Sequence, residues 1–167
     1  MELARHDWAS MLCGCGSGEH VQVIFRGLMD SVEESTVRQG DLHDHAITPA
    51  GALTEVSPAV ASSCLAALAD GVPEPARRYL LEALLFIHSG DGQIEAPEVR
   101  ERDLSRECER EIERGLWVLC SEVLQASSVG SASYAYEILS IMSAGQRYLP
   151  GLREVAGDRI STDLHQG

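Results

Sequence analysis

The stretch SPAVASSCLAALADGVPEPARRYLLEALLFIHSG, residues 57–90, decides the fold class because it has the pattern of two consecutive amphipathic helices. Ser57 and Pro58 are typical of a helix start, and Gly71 is typical of a helix end. The apolar positions of the two helices recur at helical spacing and are Ala61, Cys64, Leu65 and Leu68, then Ala76, Leu80, Ala83, Leu84 and Ile87. The stretch therefore predicts a helical hairpin that closes at Gly90.

Similar helix pairs are predicted on both sides of this hairpin. The pairs cover about residues 18–46, 57–89 and 104–144, and their first helices begin about 40 and 46 residues apart, which is the period of HEAT and armadillo repeats. Alternating strand patterns are absent. We therefore expect one all-α domain over residues 1–167, built from helical hairpins stacked as a short α-solenoid, with a disordered tail over about 161–167.

The central hairpin resembles a HEAT repeat. A proline opens its first helix, Asp70 stands in the turn and Arg77 lies early in the second helix. Residues 106–142 resemble the next repeat, with a long first helix from about residue 104 to 125, but they lack the aspartate and the arginine. The resemblance covers most of residues 8–144 and implies a HEAT-like fold without a catalytic motif.

The charge of the chain narrows the classes of partner. There are 26 acidic residues against 13 basic ones, all arginine, and the net charge is −13. Such a surface repels nucleic acids and anionic membranes and attracts basic proteins. No apolar run approaches the roughly 18 residues of a membrane span, and the N-terminus lacks the pattern of a signal peptide. We therefore expect a cytoplasmic protein with a protein partner, neither nucleic acid nor membrane.

The resemblance also implies a function, since small bacterial HEAT-like proteins are often binding modules. Some are immunity proteins that neutralise a cognate toxin, and others are scaffolds or lyase-like subunits. We expect a non-enzymatic immunity protein that covers the active site of a basic toxin or enzyme domain, and the alternative is a general scaffold or adaptor. The expected partner-binding residues are six acids and three aromatic anchors: Glu33, Glu34, Asp41, Asp44, Glu74, Glu82, Tyr79, Tyr134 and Tyr136.

The five cysteines do not indicate a disulfide framework, because their number is odd and the context looks intracellular. They are Cys13, Cys15, Cys64, Cys108 and Cys120. The last three lie on predicted apolar helix faces and are expected to be small core residues.

The segment CGCGSGEH, residues 13–20, leaves two interpretations open. In the first, Gly14, Gly16 and Gly18 form a tight turn that carries thiols without function. In the second, Cys13 and Cys15 bind a metal together with His43 and His45. A structural zinc site usually has pairs of ligands with C-x₂₋₄-C spacing. Because the spacing here is C-x-C and a second pair of that kind is missing, the sequence favours the turn and no bound metal or other cofactor.

The segment DLHDH, residues 41–45, suggests a further metal or acid–base site at Asp41, His43, Asp44 and His45. A polar helix end explains the same residues. Serine-nucleophile elbows, P-loops and dinucleotide-binding glycine patterns are also missing from the sequence. The sequence therefore predicts a protein that is not an enzyme, and a Cys/His metal protein or enzyme is the third hypothesis.

Overall fold

The computed structural model describes residues 2–30 and 42–165 and is mostly helical. A small antiparallel hairpin near the N-terminus pairs β1 (Leu12–Cys13) with β2 (Gly16–Ser17). The helices of the described residues are α1 (Glu19–Met29), α2 (Leu42–Ala46), α3 (Ser57–Asp70), α4 (Glu74–Ser89), α5 (Leu104–Arg114), α6 (Leu116–Gln125), α7 (Val129–Ile141) and α8 (Leu149–Ala156). Short 3₁₀ turns are formed by Glu2–Arg5, Trp8–Ser10, Gln146–Tyr148, Gly157–Arg159 and Thr162–His165.

The hairpin predicted from the central stretch is confirmed as α3 and α4, which pack against each other at the centre of the core. Leu80 and Leu84 are fully buried. Ser57, predicted as a cap, is instead the first residue of α3, and its hydroxyl donates to the carbonyl of Ala46 at 2.6 Å. This hydrogen bond ties the end of α2 to the start of α3.

The single long helix predicted over about 104–125 is wrong, because the structure divides it at Gly115 into α5 and α6. Leu65 on α3 packs directly over this glycine. A Cβ atom at position 115 would lie 2.3 Å from Leu65 Cδ2, so the side chain of Leu65 would have to move. The close approach of α3 therefore explains why a glycine stands at the junction of the two helices.

The connection between α4 and α5, residues 90–103, is held by one amide side chain. Gln93 Nε2 donates to the carbonyls of Val99 at 2.7 Å and Arg102 at 2.9 Å, and Gln93 Oε1 accepts from the backbone N–H of Leu104 at 2.9 Å. The backbone of Leu53 pairs with the same connection through Gly92 and Ile94. These bonds join the connection to the segment that precedes α3.

The second half of the chain packs on the first through helix faces. Helix α7 contacts α6 and α4, and α5 contacts α3. One continuous core of buried apolar residues runs through all of these helices. Within the described residues, no helix is long and apolar enough to span a membrane.

Two predicted elements fall partly outside the described residues. The second helix of the first pair was expected from about residue 32, but residues 31–41 lie outside the described residues, and α2 covers only Leu42–Ala46. The tail expected to be disordered from about 161 includes the described 3₁₀ turn Thr162–His165, and Leu164 packs against the core.

Candidate metal centre

Four metal-ligating side chains from three elements meet at the N-terminal hairpin. They are Cys13 on β1, Cys15 in the turn between the strands, His20 in the first turn of α1 and His45 on α2. One ligand atom of each residue lies within 4.8 Å of the others. Cys13 is buried, Cys15 is exposed, and the two histidines are half-buried.

The distances between the four ligand atoms are short and similar. Cys13 Sγ and Cys15 Sγ are 3.3 Å apart, and His20 Nε2 and His45 Nδ1 are 3.0 Å apart. The four distances from sulfur to nitrogen are 3.3, 3.4, 3.7 and 3.9 Å. Each atom is thus next to all three others, which makes the four atoms the corners of a tetrahedron.

This tetrahedron has nearly the size of a zinc coordination shell. From usual Zn–S and Zn–N bond lengths, a tetrahedral site has edges of about 3.8 Å between sulfurs, about 3.5 Å from sulfur to nitrogen and about 3.3 Å between nitrogens. The observed edges differ from these values by at most about half an ångström, and the distance between the sulfurs differs most. Hydrogen bonding alone does not explain the cluster. The four atoms make six contacts with one another, but each thiol and each of these ring nitrogens carries at most one proton. At most four of the contacts can therefore be hydrogen bonds.

The hairpin reaches α2 through a close backbone contact at Gly14. Its N–H donates to the carbonyl of His45 at 3.2 Å. A Cβ atom at this position would lie 2.8 Å from the carbonyl oxygen of Asp44, so a side chain does not fit. The glycine predicted as a flexible turn residue therefore permits the approach that places Cys13 and Cys15 beside His45.

Residues 54–56, directly before α3, hold both α2 and the hairpin in place. Thr54 Oγ1 donates to the carbonyl of His45 at 2.8 Å, and the N–H of Val56 donates to the carbonyl of Leu12 at 3.2 Å. Tyr79 on α4 also accepts from the backbone N–H of Leu42, at 2.5 Å. The ligands are therefore positioned by hydrogen bonds from three different parts of the chain.

Burial sets the protonation of the inner thiol. Desolvation, together with its contact to Cys15, raises the pKa of Cys13 above its ordinary value. Without a metal this group is therefore a thiol at neutral pH. A metal ion would deprotonate it, as metal ions do with coordinating thiols.

The structure changes the ligand set that the sequence suggested. It brings together Cys13, Cys15 and His45, but it places His20 where His43 was expected. His43 Nε2 contacts Asp44 at 3.0 Å, and its ring stacks on Phe86 with the centroids 5.2 Å apart. Side chains two residues apart on a helix point to different sides, so His45 faces the hairpin and His43 faces α4.

A turn interpretation of the glycines is only partly supported by the backbone. Of the three glycines singled out, Gly16 alone has a positive φ, at 128°. The signal that identifies His20 is its position five residues after Cys15, in the first turn of a helix that begins directly after a hairpin. At that position the imidazole of His20 points back towards the thiols of Cys13 and Cys15.

The predicted partner-binding acids have mixed environments. Glu33, Glu34 and Asp41 lie outside the described residues. Asp44 is exposed next to His43, and Glu82 accepts a hydrogen bond from Tyr134 at 3.2 Å.

Glu74 is already occupied by partners within the chain. It accepts hydrogen bonds from Ser127 at 2.7 Å, from Ser131 at 2.5 Å and from Ser128, and it lies 3.7 Å from Arg77. Burial acts to raise the pKa of Glu74, but the three serine hydroxyls and Arg77 together lower it. The carboxylate of Glu74 thus makes structural contacts within the chain.

The three predicted aromatic anchors are not equivalent. Tyr79 and Tyr136 are buried in the core, with 8% and 2% of their surfaces exposed. Tyr134 is half-buried, and desolvation and the neighbouring Glu82 raise its pKa. The sequence interpretation took these rings for surface groups because helical spacing alone does not separate the edge of a core from its centre.

Comparison with protein-family models, with curated protein sequences and with solved structures finds no match to this chain. The resemblance to HEAT-like proteins therefore remains a prediction from the sequence.

Proposed function

We propose that the protein binds one zinc ion through Cys13, Cys15, His20 and His45. The observation that supports this proposal is the tetrahedron of ligand atoms, whose six edges are 3.0–3.9 Å long. The geometry favours this third hypothesis over the turn that the C-x-C spacing favoured.

The chemistry of the ligands favours zinc over other ions. Two thiols and two imidazoles form the mixed sulfur and nitrogen set that zinc prefers, whereas calcium and magnesium need oxygen ligands. Two thiolates also balance the charge of the ion. Because four protein side chains fill a tetrahedral shell, the proposed role is structural: zinc fastens β1, α1 and α2 to one another.

Elemental analysis of the purified protein tests this proposal. We expect about one zinc per chain, and a cobalt-substituted sample should show the absorption of a tetrahedral thiolate site. Cys13→Ser and His20→Gln should each lose most of the metal. The matched control is His43→Gln, which removes a histidine from the same short helix as His45 and should keep it. The assignment is wrong if wild-type protein binds neither metal, or if His43→Gln loses as much as His20→Gln.

The second candidate function is the protein-binding role predicted from the sequence, as an immunity protein or as a scaffold. An exposed apolar surface supports it. We call it the α6–α8 surface. It surrounds a cleft of about 480 Å³ lined by Leu116, Trp117, Cys120, Leu124, Tyr148, Gly151, Leu152 and Val155. Trp117 and Val155 are 65% and 72% exposed. Apolar groups grouped in this way are typical of protein interfaces, and the packing of α3 with α4 and of α6 with α7 supports a short HEAT-like stack beneath them.

Affinity capture from the native host tests this protein-binding role. Wild-type protein should retain a partner that Val155→Asp does not retain. Val23→Asp, at a valine of α1 that is 69% exposed, is the matched control and should still retain it. Elution by salt would indicate the basic partner that the net charge of −13 favours. A toxin encoded next to the gene would support immunity, and equal retention by Val155→Asp would exclude the α6–α8 surface.

A further inference from the structure

A second cleft, of about 380 Å³, lies between the end of α3, the start of α4 and α6, and it shares Trp117 with the α6–α8 surface. We call it the Glu122 cleft, and its lining includes Leu68, Arg77, Trp117, Glu122 and Gln125. The residues that line it belong to none of the elements that carry the candidate metal ligands.

The carboxyl group of Glu122 is buried and only half satisfied. The side chain is 7% exposed, and Oε1 accepts a hydrogen bond from Arg77 Nη1. The second oxygen, Oε2, is buried and has no hydrogen-bond partner among the described residues. A buried carboxylate oxygen without a donor is costly, because it has lost its water without gaining a hydrogen bond.

The balance of charge at the cleft favours a cation. Arg77 is the positive partner of both Glu122 and Glu74, so this group of three carries one surplus negative charge. The second guanidinium nitrogen of Arg77 donates to the carbonyl of Val72 at 3.2 Å. Helix α3 also ends at the cleft, at Asp70, and the C-terminal end of a helix is its negative end.

Trp117 adds a surface on which a flat or compact cation can rest. Its side chain lines the cleft and is 65% exposed. Among aromatic rings, the indole has the strongest attraction for ammonium and guanidinium groups. The exposed ring and the buried carboxylate are contributed by one helix, α6, five residues apart.

We propose that the Glu122 cleft binds an alkylammonium or alkylguanidinium group, which donates to Glu122 and rests on the ring of Trp117. The size of the cleft is at the lower end of the range for small-ligand sites and suits one such group. The cation comes either from a free organic amine or from a lysine or arginine side chain of a protein. The second source would agree with the basic partner predicted from the charge of the chain.

Titration monitored by NMR tests the proposal. The probes are butylamine and butylguanidine as free cations, the N-acetylated and C-amidated peptides GGKGG and GGRGG as side-chain sources, and butanol as the neutral control. The chain has two tryptophans, and the indole N–H of Trp8 is buried and donates to the carbonyl of Leu3 at 2.8 Å. Cations should therefore shift the indole N–H resonance of Trp117 and leave that of Trp8 unchanged. Tighter binding of the peptides would indicate a protein source, and tighter binding of the free cations a small ligand.

Three variants and one control identify the contacts. Trp117→Ala should weaken binding about threefold to thirtyfold, the range expected for a cation–π contact, and Trp117→Phe should retain part of the affinity. Glu122→Gln should weaken binding about tenfold or more. Glu98→Gln, at an exposed acid outside the cleft, should not change it. If Glu122→Gln does not fold, the comparison of Trp117→Ala with Trp117→Phe decides, with affinity measured by calorimetry.

The proposal is overturned if no cationic probe shifts the Trp117 resonance, if butanol shifts it equally, or if Trp117→Ala binds butylguanidine as well as the wild-type protein does. The zinc content of the same samples is measured separately, so that failure here is distinguishable from failure of the metal site.

Discussion

At Glu74, a single carboxylate connects the beginning of α4 to the beginning of α7. The three serines that donate to it include Ser128, which also caps α7 by accepting from the N–H of Ser131 at 3.1 Å. The ionised form of Glu74 is therefore the form that the folded protein stabilises. Its lowered pKa has a direct consequence for stability at low pH.

We expect Glu74→Gln to be less stable than the wild-type protein at neutral pH, and this difference to shrink in acid. Because the pKa of Glu74 in the folded protein lies below its ordinary value of 4.5, the contribution is complete above pH 4.5 and is lost as the pH falls through the lowered pKa. Urea unfolding at several pH values measures the difference. Since both proteins keep the metal ligands, acid effects on the metal site largely cancel. Ser127→Ala, which removes one donor, should narrow the difference, and a difference that does not change with pH would contradict this account.

Single residues were the hardest level to predict from the sequence. The apolar stripe of α4 could be predicted because apolar residues recur there at helical spacing, whereas α3 is buried on most of its surface and not on one face alone. The choice of His20 over His43 could not be predicted, because it depends on how the hairpin meets α2. The same reason applies to Tyr136, whose burial depends on helices that are distant in sequence.

At the scale of the elements, we make a specific prediction for the junction of α5 and α6. Gly115→Ala should destabilise the protein by about 1–3 kcal/mol, since the added Cβ would force Leu65 from its place. The matched control is Gly27→Ala in α1, where a Cβ meets no atom of residues 2–30 and 42–165 within 4 Å. That change should stabilise the protein by up to about 1 kcal/mol through helix propensity. Urea unfolding measures both effects.

A second substitution checks the cause. In a Leu65→Ala background, the cost of Gly115→Ala should fall, because the two positions contact each other. If the cost is unchanged, the glycine is required for a reason other than its contact with Leu65.

The long helices were predicted well, and the two-residue strands were not. The helices α3, α4 and α7 run for 14, 16 and 13 residues and bury many apolar side chains, so their helical character could be predicted. The strands β1 and β2 have two residues each, which is too few for an alternating pattern. The division of the predicted long helix at Gly115 also depends on a neighbour that the local sequence does not show.

For the whole molecule, removal of the proposed zinc ion should affect one end of the structure. Chelation should speed the hydrogen exchange of the N–H groups of Gly14 and Val56, which bond to His45 and Leu12. Amides in the middle of α4 should exchange as before, because α4 lies in the central core. His20→Gln should reproduce the effect without chelator, and His43→Gln should not. Equal acceleration throughout the chain would mean that the metal stabilises the whole fold, and no acceleration would mean that the hairpin is held without it.

The bonds of Gln93 also bear on what happens if the chain is cut. Glu95, Pro97 and Glu98 are exposed, so a protease can reach the connection there. Gln93 lies on one side of such a cut, while Val99, Arg102 and Leu104, its hydrogen-bond partners, lie on the other. The two fragments would therefore remain joined by that amide and by the shared core. We therefore expect two fragments that are divided within residues 95–98 and expressed separately to reassemble when they are mixed.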